Sequence, residues 1–136
     1  MTIHVGANHA EVAENALSKA ARECRRVVLT PSGIDHSDEF IKTLFVQFAL
    51  SPELRQLNKI MRAAAQDSSQ YELKPHLSLL YKKLPDAVRR ELADSVKLPF
   101  SQVTFDALKA IRCVSPTQSR ADVETWQELA AADLAG

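Results

Sequence analysis

Two hydrophobic periods alternate along this chain, and their order constrains the fold more than any single residue does. Residues 2–6 alternate polar and apolar and end at Gly6, which suits a short strand. Residues 25–30 are β-branched at Val27 and Val28, and Pro31-Ser32-Gly33 then reads as a turn into another strand. Residues 40–49 carry Phe40, Leu44, Val46 and Phe48, three of them alternating, so a strand is expected although the run is long enough for an amphipathic helix. The compact apolar run at residues 76–81 follows Pro75, a natural strand opener.

Helical spacing separates these runs. Val12, Ala16, Leu17, Ala20 and Ala21 share one face of a helix that Asn8 can cap and that ends near Cys24. Ser51-Pro52-Glu53 is a good helix opening, and Leu54, Leu57, Ile60 and Met61 give an apolar face as far as about Ala65. Residues 67–70 are polar and loop-like. Leu84-Pro85-Asp86 starts a further helix through about Val96, with Val88, Leu92 and Val96 on one face. Residues 103–108 and 111–114 read as a long interrupted strand, while residues 123–134 are helical by propensity alone, a weak guide. Strands and helices in this order imply an α+β fold of two similar halves.

The chain has 136 residues, which fits one domain able to bury a real core. With 46% hydrophobic residues and only three glycines, the composition is neither disordered nor fibrous. Seventeen basic side chains balance seventeen acidic ones, so there is no general pull toward duplex DNA or an acidic membrane, and any anion needs a local site. The apolar runs fall far short of the roughly 20 residues that cross a bilayer, and the first residues lack the features of a signal peptide. Cytoplasm is the expected compartment. Cys24 and Cys113 have no metal-type spacing and are expected to be reduced, partly buried thiols.

The most informative segment is Pro75-His76-Leu77-Ser78-Leu79-Leu80-Tyr81. Alternation along a strand points His76 and Ser78 to one face and Leu77 and Leu79 to the core. An imidazole can give or take a proton near neutrality, and a hydroxyl can donate to a phosphoryl oxygen. Read from the residues alone, a structural histidine satisfied by a backbone partner is the commoner meaning of such a pair, and a site is the alternative.

The segment from His76 to Tyr81 resembles the second His-x-Ser/Thr signature of the two-histidine (2H) phosphoesterases, in particular their cyclic phosphodiesterase branch with its 2'-5' RNA ligase-like fold. Thr125-Trp126-Gln127 resembles the Thr-Trp-Glu-like strand near the end of that branch, and the run from Phe40 to Leu54 resembles its central strand leading to a helix. The resemblance implies a bilobal fold of two antiparallel sheets backed by helices, with the active cleft between them and one signature on each half. Met1-Thr2-Ile3 resembles the tail of the first signature, with Thr2 as its hydroxyl residue. That alignment puts the first histidine one position before Met1. The expectation is therefore a single domain over residues 1–136 that lacks the N-terminal strand, with an unpaired sheet edge prone to dimerise.

The resemblance implies metal-independent opening of a cyclic phosphodiester without a cofactor. His76 would be one acid/base, Ser78 and Thr2 would hold phosphate oxygens, and Tyr81 would contact substrate at the cleft, although strict alternation turns Tyr81 to the core. The substrate would be a nucleoside 2',3'-cyclic phosphate, an ADP-ribose cyclic phosphate or an RNA end. The alternative is a nucleotide or RNA-end binding module without turnover. His4 shares a face with Thr2 but has no hydroxyl residue two places on, and His9 and His36 are expected at the surface. Trp126 is expected in the core, and Lys82, Lys83, Arg89 and Arg90 on a solvated turn and helix face.

Overall fold

The computed structural model describes residues 1–6, 9–66 and 71–136. The two long helices form where the apolar spacing predicts them. Helix α1 (Ala10–Glu23) buries Ala16, Leu17 and Ala20. Helix α2 (Pro52–Ala65) buries Leu54, Leu57 and Ala65 and packs against α1. Its start combines a proline with a Ser51 side chain that accepts from the Leu54 N–H at 3.1 Å, satisfying one of the donors a helix start leaves open. Asn8, the expected cap of α1, lies outside the described residues, and His9 occupies the cap position.

The strands are β1 (Val27–Leu29), β2 (Pro31–His36), β3 (Leu44–Phe48), β4 (His76–Leu80), β5 (Val103–Phe105), β6 (Ala107–Arg112) and β7 (Gln127–Asp133). Two shorter helices, α3 (Asp86–Ser95) and α4 (Arg120–Glu124), complete an α+β fold. The named strands pair antiparallel, β1 with β5, β2 with β3 with β4, and β6 with β7, and a single parallel bridge joins Arg25 to Ala135. One core cluster draws on all three sheets and both long helices, with Leu17, Ala20, Val27, Leu29, Val46, Phe48, Leu54, Leu57, Leu108 and Leu134 in contact. No helix among the described residues is long and apolar enough to cross a membrane.

Several expectations give way to tertiary context. Residues 1–6 form no strand. Their carbonyls are taken by side chains instead: the Asn58 amide donates to Ile3 and the Tyr71 hydroxyl to Thr2, while Met1 and Ile3 pack on the core. Pro31-Ser32-Gly33 is not a turn but the opening of β2, where Ser32 is accommodated as a register shift against β3. The described glycines all avoid positive φ, so nothing at Gly33 demands a reversal. Residues 40–42 form a 3-10 turn, and only then does β3 begin. The stretch at 103–112 divides at Asp106, where the chain leaves the β1 sheet for the β7 sheet and the Asp106 carbonyl accepts from Leu134 at 2.7 Å. Residues 127–133 are a strand despite four alanines in 130–135, because pairing with β6 and packing on α1 outweigh helix propensity. Cys24 is buried, and burial, then the Glu23 charge, pushes its thiol up; Cys113 is exposed, not partly buried.

Ser51→Ala removes the α2 cap and should destabilise the fold by about 0.5–2 kcal/mol. The measurement is the urea midpoint at constant m-value.

Candidate functional site

Strand β4 has its site face set by β3. The Phe48 N–H donates to the Pro75 carbonyl at 3.1 Å, and the register then places Gln47 opposite His76, Val46 opposite Leu77 and Phe45 opposite Ser78. Directly opposed residues share a face. Val46 and Leu77 therefore point into the core, while Phe45, Gln47, His76 and Ser78 point the other way. The Phe45 and His76 rings meet edge to face, with centroids 5.6 Å apart at 71°. Phe45 is only 4% exposed although it lies on the face away from the core cluster.

The expected inward direction of Leu79 does not hold, and the reason also moves Tyr81. Leu44 pairs with Leu80 while Phe45 pairs with Ser78, so Leu79 is an extra residue on β4 and is 41% exposed. A one-residue bulge inverts the parity of every residue after it on the strand. Tyr81, which strict alternation sends to the core, instead stands 41% exposed against Phe40 and Trp126, each with ring centroids 6.2 Å away. Trp126 is half-buried rather than part of the core, and its indole N–H donates to the Thr117 hydroxyl at 3.2 Å.

The 3-10 turn at Phe40–Lys42 approaches the same face. The Ser78 hydroxyl donates to the Ile41 carbonyl at 2.6 Å. The next side chain, Lys42, sets its ammonium 4.6 Å from the Phe45 ring centroid, a cation–π contact. Thr43 is 2% exposed and fastens the turn to the chain just past Tyr81: its hydroxyl lies 2.7 Å from the Lys82 carbonyl and accepts from the Lys82 N–H at 3.2 Å. Sequence reading missed Lys42, Phe45 and Thr43 because residues 40–49 read as one strand, and only the 3-10 turn brings Lys42 over the ring.

His76 is oriented through Nδ1, which lies 2.8 Å from the Lys74 carbonyl. A carbonyl only accepts, so Nδ1 carries the proton and Nε2 presents a lone pair in the neutral ring. This is the arrangement of an imidazole able to take a proton from a ligand.

Thr2 is exposed, and its carbonyl accepts from the Tyr71 hydroxyl at 3.4 Å; among the described residues no hydrogen bond joins Thr2 to His76 or Ser78. Burial pushes the Tyr71 phenol above its usual range, which keeps it protonated as the donor. His4 stands edge-on to Tyr71 at 6.4 Å, away from the solvent. His9 is exposed, as expected, but His36 is not: it is partly covered, and its Nδ1 accepts from Arg89 Nε at 3.5 Å. Arg89 is likewise no surface residue. Its side chain is 14% exposed and also donates to the Leu84 carbonyl at 2.7 Å, and its contact with His36 lies where α3 packs on β2. Arg90 pairs with Asp86 at 2.8 Å on the solvent side, and Lys82 and Lys83 are exposed.

No protein-family model matches the chain, and no curated protein matches it.

Thr43→Val keeps the shape but leaves the Lys82 backbone without its partner. The expected loss is about 1–3 kcal/mol in chemical denaturation. The Lys82 amide should also lose protection in hydrogen exchange.

Proposed function

We propose that this protein hydrolyses a cyclic phosphodiester by acid/base catalysis without metal, with a nucleoside 2',3'-cyclic phosphate or an ADP-ribose cyclic phosphate as substrate. The observation that carries the reading is the Lys74 carbonyl at His76 Nδ1, which leaves Nε2 as a base on the face shared with Ser78. A water attacks phosphorus; His76 Nε2 takes its proton as the new P–O bond forms. The bond to the ring alkoxide breaks, and that oxygen takes a proton from a second acid, the role the resemblance gives to the first-signature histidine. Ser78 and Thr2 hold non-bridging oxygens. Tyr81, exposed at the end of the bulged strand, is available to stack on a base or sugar.

Ser78 carries a condition. Its single hydrogen is given to the Ile41 carbonyl, so donation to a phosphoryl oxygen requires the hydroxyl to rotate away from that partner.

His76→Ala should lower kcat on a nucleoside 2',3'-cyclic phosphate by about 10² to 10⁴ while the far-UV spectrum stays unchanged. Activity within twofold of the parent would remove His76 from the chemistry. Ser78→Ala should weaken transition-state binding by roughly 1.5–3 kcal/mol. If it lowered the unfolding midpoint but left kcat/KM unchanged, Ser78 would be a fastener of the 3-10 turn and nothing more. EDTA should leave turnover intact; loss of activity restored by a divalent ion would replace this mechanism with a metal-assisted one.

A further inference from the structure

On the face of β4, a neutral His76 imidazole and the Ser78 hydroxyl meet a negatively charged ester, and neither of these two groups supplies a full positive charge. Attack by water on a cyclic phosphodiester monoanion leads to a monoester that becomes a dianion, so negative charge on the phosphoryl oxygens grows along the reaction. A fixed cation beside those oxygens is worth most at that stage.

Lys42 is placed to be that cation. Its ammonium rests on the Phe45 ring, and the same ring meets the His76 ring edge to face. Phe45 is also the residue directly opposite Ser78, and the Ser78 hydroxyl reaches the carbonyl of Ile41, the neighbour of Lys42. The backbone of Lys42 is fixed at both ends, its N–H donating to the Glu39 carbonyl at 3.0 Å and its carbonyl accepting from the Ser37 hydroxyl at 2.5 Å. Asp38 and Glu39 are close in sequence, yet among the described residues Lys42 makes no salt bridge. Of the other cations around this face, Lys82 and Lys83 are exposed in the segment after β4, and the rest are already committed. Arg89 is committed to Leu84, Asp86 and His36, Arg90 to Asp86, and Lys74 to Glu72 at 3.3 Å. An ammonium held by a ring and by a pinned backbone, with no carboxylate neutralising it, is poised for an external anion.

We infer that Lys42 binds the phosphoryl oxygens of the ester held at His76 and Ser78 and stabilises their growing charge in the transition state. The inference rests on the phosphodiesterase reading for the identity of the reaction, but the anion site itself can be tested without turnover. Inorganic phosphate is titrated into the protein while the His76 ring and the Phe45 amide are followed by NMR, and the same protein is assayed on a nucleoside 2',3'-cyclic phosphate. Lys42→Met should raise the phosphate Kd about tenfold and lower kcat/KM by about 10²-fold, mostly through kcat. Lys42→Arg should recover most of both, and Lys42→Gln, which is less apolar, guards against a folding defect of the methionine variant. A structural role for Lys42 would not give charge-specific rescue by arginine. Unchanged phosphate affinity and unchanged turnover in both neutral variants would overturn the inference. Lys42-dependent phosphate binding in a protein that turns over no cyclic phosphate would instead overturn the phosphodiesterase reading and leave the anion site standing.

Discussion

Strand β3 buries a large apolar side chain on each of its faces, and the remaining structure is arranged around that demand. Val46 and Phe48 close the core with α1, α2 and β1, while Phe45, on the opposite face, is 4% exposed under the rings and chains of the candidate site. A central strand with so much of its length buried needs its backbone N–H and C=O groups paired along both edges, and β2 and β4 supply the partners. The same strand therefore carries the stability of the molecule and the floor of the site. His76 inherits its position from Phe45 and its ring orientation from Lys74, not from any loop of its own.

Thr43 extends that arrangement by one step. A hydroxyl that both reaches and receives from Lys82 joins the start of β3 to the segment after β4, two stretches separated by 39 positions in the chain. The 3-10 turn between Ser37 and Thr43 is closed by Ser37 and Thr43 themselves, through the Ser37 hydroxyl on the Lys42 carbonyl and the Ser37 N–H on the Thr43 carbonyl at 3.2 Å. Lys42, Ile41 and Phe40 are thus delivered together, one to the ring of Phe45, one to Ser78 and one to Tyr81.

Legibility in the sequence divides along physical lines. Helices α1 and α2 were readable because their apolar residues recur at the helical period and Ser51-Pro52 marks a start in local chemistry. His76 and Ser78 on one face of β4 followed from alternation alone. The bulge at Leu79 had no such signal: an apolar residue in an apolar run looks the same whether paired or extra, and only the register with Leu44 and Phe45 reveals it. Tyr81 could not be oriented from sequence for that reason. Residues 2–6 alternated like a strand, but a strand exists only where a neighbour pairs with it, and here Asn58 and Tyr71 take the carbonyls instead. At β7 the alanines favoured a helix locally, and a partner from another part of the chain decided otherwise.

The closure of the core by distant segments has a consequence for how the chain is made. Leu134 is buried in the cluster with Leu17 and Val27, and the Arg26 N–H donates to the Ala135 carbonyl at 2.9 Å. Helix α1 packs on α2 and β1 pairs with β5, yet part of the surface that covers α1 belongs to β6 and β7, which follow it far later in the chain. During synthesis α1 waits with part of its apolar face uncovered, and contacts of such long sequence separation slow folding and widen the interval in which a nascent chain can aggregate.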